Sequence, residues 1–239
     1  MIILFTKFIL SAALILIFGF RLSKTAHSIV KMGRFTEGFM GVVLLAAITS
    51  FPEIFTSIAS ATYVDAINLG IGDLIGSVML NLMVIAVLDF KYGKGALLSI
   101  VDKDLIASCA FSFIMLGLIM AALGLSVFTG KVIGIFNIGL ESFLLIIIYL
   151  YIVTHSFKKT LSDSGEKGRR HEKEGKAFLV FALYGIIIIA GSFWLTSVSK
   201  DIVDKMGWNE MYFGTTVIAL ATSLPEIVVS MTALSIGSA

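Results

Sequence analysis

Apolar stretches with few or no charged residues recur along the chain at about 2–20, 38–64, 66–90, 105–124, 132–154, 177–198 and 211–237. A membrane-crossing helix needs roughly 20 apolar residues, so the pattern predicts seven spans in an all-α polytopic membrane protein. Ser11 to Phe20 lacks a small-residue cleavage signature and Lys7 interrupts the apolar run, so the first stretch is read as a membrane helix rather than a secretory signal.

Of the 239 residues, 58% are hydrophobic and 14% charged, which leaves too little polar surface for a water-soluble fold. A soluble enzyme, a nucleic-acid binder and a disordered scaffold are therefore excluded, and lipid is the expected solvent. The net charge of +2 points to no nucleic-acid partner. The position of the basic residues is more informative. Fourteen of the 18 Lys and Arg fall in the segments after spans one, three and five. Basic residues collect on the cytoplasmic side, so the N-terminus is expected outside and the plasma membrane is the expected location. The single cysteine, Cys109, excludes an internal disulfide and lies in an apolar neighbourhood that suits packing.

Self-similarity gives the first functional signal. Gly41 to Ala61 reads GVVLLAAITSFPEIFTSIASA and Gly214 to Leu234 reads GTTVIALATSLPEIVVSMTAL, an ungapped match at a constant offset of 173 that shares the core T-S-x-P-E-I-x-x-S. The copies lie on spans two and seven. An odd number of crossings separates them, so they should traverse the bilayer in opposite directions. Inverted repeats of this kind are a recurrent plan of secondary transporters, with the substrate site near the midplane.

The repeat carries acids where acids are costly. Glu53 and Glu226 lie inside apolar stretches, and a carboxylate in hydrocarbon is destabilising by several kcal/mol unless it is neutralised. No Lys, Arg or His falls at comparable depth; His27, His155 and His171 are assigned to loops. The expected counter-charge is a cation or a proton. Thr49, Ser50 and Ser57 stand at helical spacing around Glu53, as Thr222, Ser223 and Ser230 do around Glu226. Pro52 and Pro225 should break or kink their helices and free the carbonyls of Ile48 and Ala221. Carboxylates, hydroxyls and bare carbonyls suit Ca²⁺ or Na⁺ better than Zn²⁺ or Cu⁺. In span three, Asp73, Ser77 and Asn81 form one stripe, and Gly72 with Gly76 offers a surface for close helix approach. Asp73 has two readings, a member of the cage or a hydrated group near the outer surface. Isolated Ser and Thr usually bond their own i−4 carbonyl. Glu141 lacks the proline and hydroxyl frame, which favours a packing role. Asp65 and Asp89 are expected at the interface.

At these residues the chain resembles the calcium/cation antiporter superfamily, and in particular its prokaryotic sodium/calcium exchangers. Thr49-Ser50-Phe51-Pro52-Glu53 and Thr222-Ser223-Leu224-Pro225-Glu226 match the paired alpha-repeat signature, and Gly76-Ser77 with Asn81 matches the second part of the first repeat. The resemblance implies an inverted-repeat transporter of ten helices, seven of them present here, in two five-helix halves. Residues 1–154 would form the first half, with alpha-repeat 1 at about 38–90; 155–175 would be a cytoplasmic linker; 176–239 would begin the second half, with alpha-repeat 2 starting at about 211–239. It further implies that Glu53 and Glu226 bridge Ca²⁺, that Thr49, Ser50, Thr222, Ser223 and the carbonyls of Ala46 and Ala219 help to bind Na⁺, and that Ser77 and Asn81 line the same centre. Ca²⁺ and Na⁺ would be transported substrates, with no cofactor and no enzymatic activity. Alternating access would come from the first and sixth spans sliding over the rest. The family continues past the position of Ala239 with a Gly-Ser-x-x-x-Asn/Asp stripe and further helices, so truncation of a longer exchanger is expected in preference to completion by a second chain.

A Ca²⁺/H⁺ or K⁺-assisted exchanger is the closer alternative, since a glutamate pair also releases metal to protons. Gly70-Ile71-Gly72-Asp73 spells the GxGD of intramembrane aspartyl proteases, but no second membrane aspartate in a Tyr-Asp span accompanies it. Serine and zinc intramembrane proteases fail for want of a histidine in a span or an HExxH.

Overall fold

The computed structural model describes residues 1–29, 48–92, 103–129, 134–135, 138–139, 142–151, 154 and 173–235. It is that of an all-α polytopic membrane protein. The elements are α1 (Ile2–Ile29), α2 (Phe51–Thr62), α3 (Ile67–Tyr92), α4 (Lys103–Thr129), β1 (Gly134–Ile135), β2 (Ile138–Gly139), α5 (Ser142–Tyr151), α6 (Lys173–Met206), α7 (Glu210–Phe213), a π-helix (Gly214–Ile218) and α8 (Ala219–Ser235). The two strands pair antiparallel, Gly134 opposite Gly139.

Helices dominate because a backbone in hydrocarbon has no water to satisfy its N–H and C=O groups, and a helix satisfies them internally. Four described segments are long and apolar enough to cross a membrane: Ile2–Ala26, Lys176–Met206, Ile67–Lys91 and Glu210–Val228. Ser112–Ala122 and Ser142–Tyr151 are shorter apolar helices. Large apolar side chains such as Ile2, Phe90 and Phe128 stand in the open, as a lipid-facing surface requires. The sequence pattern predicts one continuous span over 132–154, but two-residue strands occupy 134–135 and 138–139, and the helix is described over Ser142–Tyr151. The segment 130–141 carries Gly130, Gly134 and Gly139, which disfavour helix. His27, assigned to a loop from hydropathy, falls within α1.

α1 packs along α6, α2 lies between α6 and α3, and α3 runs against α7, the π-helix and α8. One apolar core joins Leu4 and Ile15 of α1 with Leu195, Val198 and Ile202 of α6, Leu69 of α3, and Phe213 and Ile218 of the 210–218 segment. A second gathers Leu22, Ala26, Ile48 and Ile188. Phe8 meets Phe213 edge to face, ring centres 6.0 Å apart.

Two helix ends use left-handed backbone. α6 stops at Gly207 (φ 65°), whose following residue, Trp208, donates its N–H to the Val203 carbonyl at 3.1 Å, a Schellman closure. After α2, Asp65 takes φ 50° in the turn that returns the chain into α3. This short turn lays α3 back along α2, so that side chains about 20 residues apart in sequence face one another.

Candidate functional site

The first copy of the repeat is interrupted where its chemistry lies. Ile48 and Thr49 are helical, Ser50 forms a turn, and α2 restarts at Phe51 with Pro52 in its opening turn. Proline is tolerated there because the first N–H groups of a helix have no partner within it. The break therefore creates a helix N-terminus within the packed helices, with Glu53 in its first turn and 6% exposed. The partial positive charge of that terminus favours a carboxylate. Ser50 occupies the capping position without a side-chain cap bond.

The second copy departs from its twin. Pro225 stands inside α8 without ending it, so of the break or kink expected at each proline, the break is seen at Pro52 alone. The irregularity lies upstream, in the π-helix of Gly214–Ile218. A π turn widens the helix and sets its carbonyls out of register. There α3 approaches closely: a Cβ on Gly76 would collide with the Thr215 carbonyl and with the Ala219 Cβ, and one on Gly214 with the Leu69 carbonyl. The small-residue stripe thus serves close packing.

Close packing brings the polar groups of three elements together. Ser223 donates its hydroxyl to Glu53 Oε1 at 3.0 Å, joining α8 to α2 across 170 residues. Thr222 Oγ1 lies 3.0 Å from Asp73 Oδ1 and 3.2 Å from the carbonyls of both Ile218 and Ala219, with one hydrogen to give. Thr56 donates to Asp73 Oδ2, and its hydroxyl also lies 3.0 Å from the Glu53 carbonyl. Glu226 lies within electrostatic reach of Glu53, Asp73 and Thr49. Glu53 thus meets Ser223 of the other copy, and Glu226 lies near Thr49 of its own counterpart. Glu53 Oε2, both carboxylate oxygens of Glu226 and Ser77 Oγ are shut away from solvent with no hydrogen-bond partner among the described residues. No Lys, Arg or His among the described residues is buried with them. Nor do three His, Cys, Asp or Glu side chains among the described residues form a ready-made metal cage. The donor set is carboxylate, hydroxyl and carbonyl oxygen, chemistry that fits hard cations such as Ca²⁺ and Na⁺.

The structure brings together most of the residues singled out from sequence. Thr49, Glu53, Ser77, Ala219, Thr222 and Ser223 are buried, and Ser50 and Glu226 are half-buried. Asn81 is an exception. It stands exposed, because beyond Ser77 the α3 positions are exposed or half-buried and the helix has run past its close contacts. Ala46, Glu141 and most of the 155–175 linker lie outside the described residues.

One reading left open by the sequence is decided by burial, and two further features escaped it. Asp73, for which a hydrated position near the surface was one alternative, has no exposed surface. Thr56, at i+3 from Glu53, does what was expected of Ser57 at i+4; position 229, its repeat equivalent, is valine, so self-similarity could not reveal it. Ser192, Thr196 and Ser199 give α6 a buried polar stripe, with Ser192 Oγ 3.4 Å from the Pro52 carbonyl. Their helical spacing in an apolar span was the available signal.

The family model described as "Sodium/calcium exchanger protein" matches residues 3–158 and 176–239. A relative described as an uncharacterized membrane protein of Methanocaldococcus jannaschii is 28% identical over 196 residues, which cover 81% of this chain and 60% of the relative. The chain thus matches about three-fifths of that relative's length. No solved structure matches. With a buried cluster of acids and hydroxyls where the two repeat copies meet, and a family match over most of its length, the chain belongs to the sodium/calcium exchanger protein family.

Proposed function

We propose that the protein is a secondary antiporter that exchanges Ca²⁺ for Na⁺ by alternating access, at a centre where Glu53 and Glu226 share the divalent ion. One observation carries this reading: Glu53 takes a hydrogen bond from Ser223 of the other repeat copy, while its second oxygen and both oxygens of Glu226 are buried without a partner among the described residues. Like charges held this close repel, and low dielectric strengthens the repulsion. A divalent cation between them turns that repulsion into attraction.

Thr49, Ser50, Thr222, Ser223 and the carbonyls of Ala46 and Ala219 are assigned to Na⁺, with Ser77 beside them. Asn81 is left out of the described cluster. The mutual approach of each glutamate to the other copy's threonine or serine supports the inverted-repeat reading. Exchange then follows from charge balance: two carboxylates are neutralised by one Ca²⁺ or by two Na⁺, and the two loads compete for the same oxygens. Packing of α1 along α6 suits these two helices to move as a pair relative to the rest. The segments rich in Lys and Arg are assigned to the cytoplasm, which places the N-terminus outside, and the plasma membrane is the assigned location.

The test is Ca²⁺ uptake into proteoliposomes under an imposed outward Na⁺ gradient, repeated with an outward proton gradient. Uptake driven by Na⁺ alone is the expected result. Uptake driven only by protons replaces Na⁺ with H⁺ as the counter-ion, and flux without either gradient means a passive channel.

A further inference from the structure

The duplication reaches beyond the segments that carry the glutamates. α1 and α6 align at the same offset of 173, matching Ile15 with Ile188, Leu22 with Leu195 and Ile29 with Ile202, identical pairs that are all buried. Each of these helices packs on the repeat helix of the other copy, α1 on α8 and α6 on α2.

At the two crossings the offset pairs Gly19 with Ser192 and Pro52 with Pro225, and there the copies differ. Gly19 is pressed against the Pro225 ring: a Cβ at position 19 would stand 2.9 Å from Pro225 Cγ and 3.3 Å from Pro225 Cβ. Position 192 has room for a whole side chain. Ser192 has no exposed surface, and its hydroxyl donates to the Pro52 carbonyl at 3.4 Å. That carbonyl belongs to the opening turn of α2, just past the interruption at Ser50, whereas Pro225 lies inside α8. Two copies alike in sequence thus hold unlike conformations.

In an inverted repeat, letting each copy take up the conformation of its twin turns the centre toward the opposite side of the membrane. In that exchanged state α6 would ride on the Pro52 ring as α1 now rides on Pro225, and the Ser192 Cβ would collide with the ring. α1 would gain space above Pro225 that Gly19 has no side chain to fill. The serine therefore stabilises one state and obstructs the other, and the glycine is what permits the first. We propose that Gly19 and Ser192 are positioning residues that set the facing equilibrium, with Ser192 holding the molecule in the arrangement described here. This rests on the alternating-access reading, and it assigns the preference between the two states to one unequal pair of contacts.

The experiment is double electron–electron resonance on the purified chain in lipid nanodiscs. Nitroxides are attached through Thr62→Cys of α2 and Lys205→Cys of α6, both exposed positions, in a Cys109→Ser background. One dominant distance is expected with Gly19 and Ser192 in place. Ser192→Gly should raise a second distance, the ratio of second to first growing at least about fivefold. Ser192→Ala keeps the Cβ and should shift the ratio less, and Gly19→Ser, which crowds the described state, should shift it in the same direction as Ser192→Gly. Gly185→Ser places a serine on α6 where a Cβ meets nothing within 4 Å among the described residues, and should leave the ratio unmoved. An unchanged ratio in Ser192→Gly, an equal shift in Ser192→Ala or Gly185→Ser, or an opposite shift in Gly19→Ser overturns the proposal. Should Gly19→Ser not fold, the variants at 192 and 185 decide. Populations that shift as expected in a chain without Na⁺-driven Ca²⁺ uptake sink the exchanger reading alone. Uptake with unmoved populations sinks the role of Gly19 and Ser192 alone.

Discussion

A glutamate in an apolar span has few stable options, and Glu53 and Glu226 meet that constraint in one place. The Ser223 hydroxyl crosses from one copy of the repeat to the glutamate of the other. A hydrogen bond to an ionised group contributes about 1.5–3 kcal/mol. Ser223→Ala should therefore weaken Ca²⁺ binding by roughly 10-fold or more, read by calorimetric titration, while the circular dichroism of the helices is unchanged. Unaltered affinity would show that Ser223 does not position Glu53. The paired glutamates were legible in sequence because duplication marked them. Thr56 was not, since the equivalent position in the second copy is Val229, and Asp73 stood between a place in the cage and a hydrated one, a choice that depends on the turn that folds α3 back along α2.

Helix contacts decide whether those side chains meet at all. α3 reaches the π-helix and α8 only because Gly72, Gly76 and Gly214 carry no Cβ at the crossing. Gly76→Ala should push the two apart and cost about 1–3 kcal/mol, the usual range for overpacking, seen as a lower thermal midpoint in detergent. At Gly117 on α4 a Cβ would meet nothing within 4 Å among the described residues, so Gly117→Ala should leave the midpoint unchanged or raise it by an amount of order 0.5–1 kcal/mol. A fall in both variants would mean a general intolerance of glycine replacement and would remove the packing argument. At the end of α6, Lys200 spans to Asp204 at 2.8 Å and to Glu210 of α7 at 2.7 Å, with roughly a quarter of its side chain exposed. Partly exposed pairs contribute about 0–1 kcal/mol and are screened by salt. Lys200→Met should lower stability by no more than that, and the difference should shrink as ionic strength rises. The element boundaries follow the same logic of legibility. Spans one, three, four and six were set by apolar runs and appear as long helices, whereas the π turn at 214–218 and the strands within 134–139 left no hydropathy signal, because both preserve an apolar composition.

Across the whole molecule, greasy exterior and polar centre are two consequences of one solvent. Lipid tolerates the exposed Ile, Leu and Phe of the outer faces, and it compels the buried acids, hydroxyls and irregular backbone to gather where α2, α3 and α8 meet. The central claim is that Glu53 and Glu226 bind one ion jointly, and the measurement that tests it most directly is a double-mutant cycle on Ca²⁺ affinity. Ca²⁺ titrations of the wild type, Glu53→Gln, Glu226→Gln and the double variant would close the cycle. Residues that share a ligand are strongly non-additive, so either single substitution should abolish high-affinity Ca²⁺ binding and the second should add little. Two partial losses that simply sum in the double variant would show that the glutamates act independently, and would contradict the shared site.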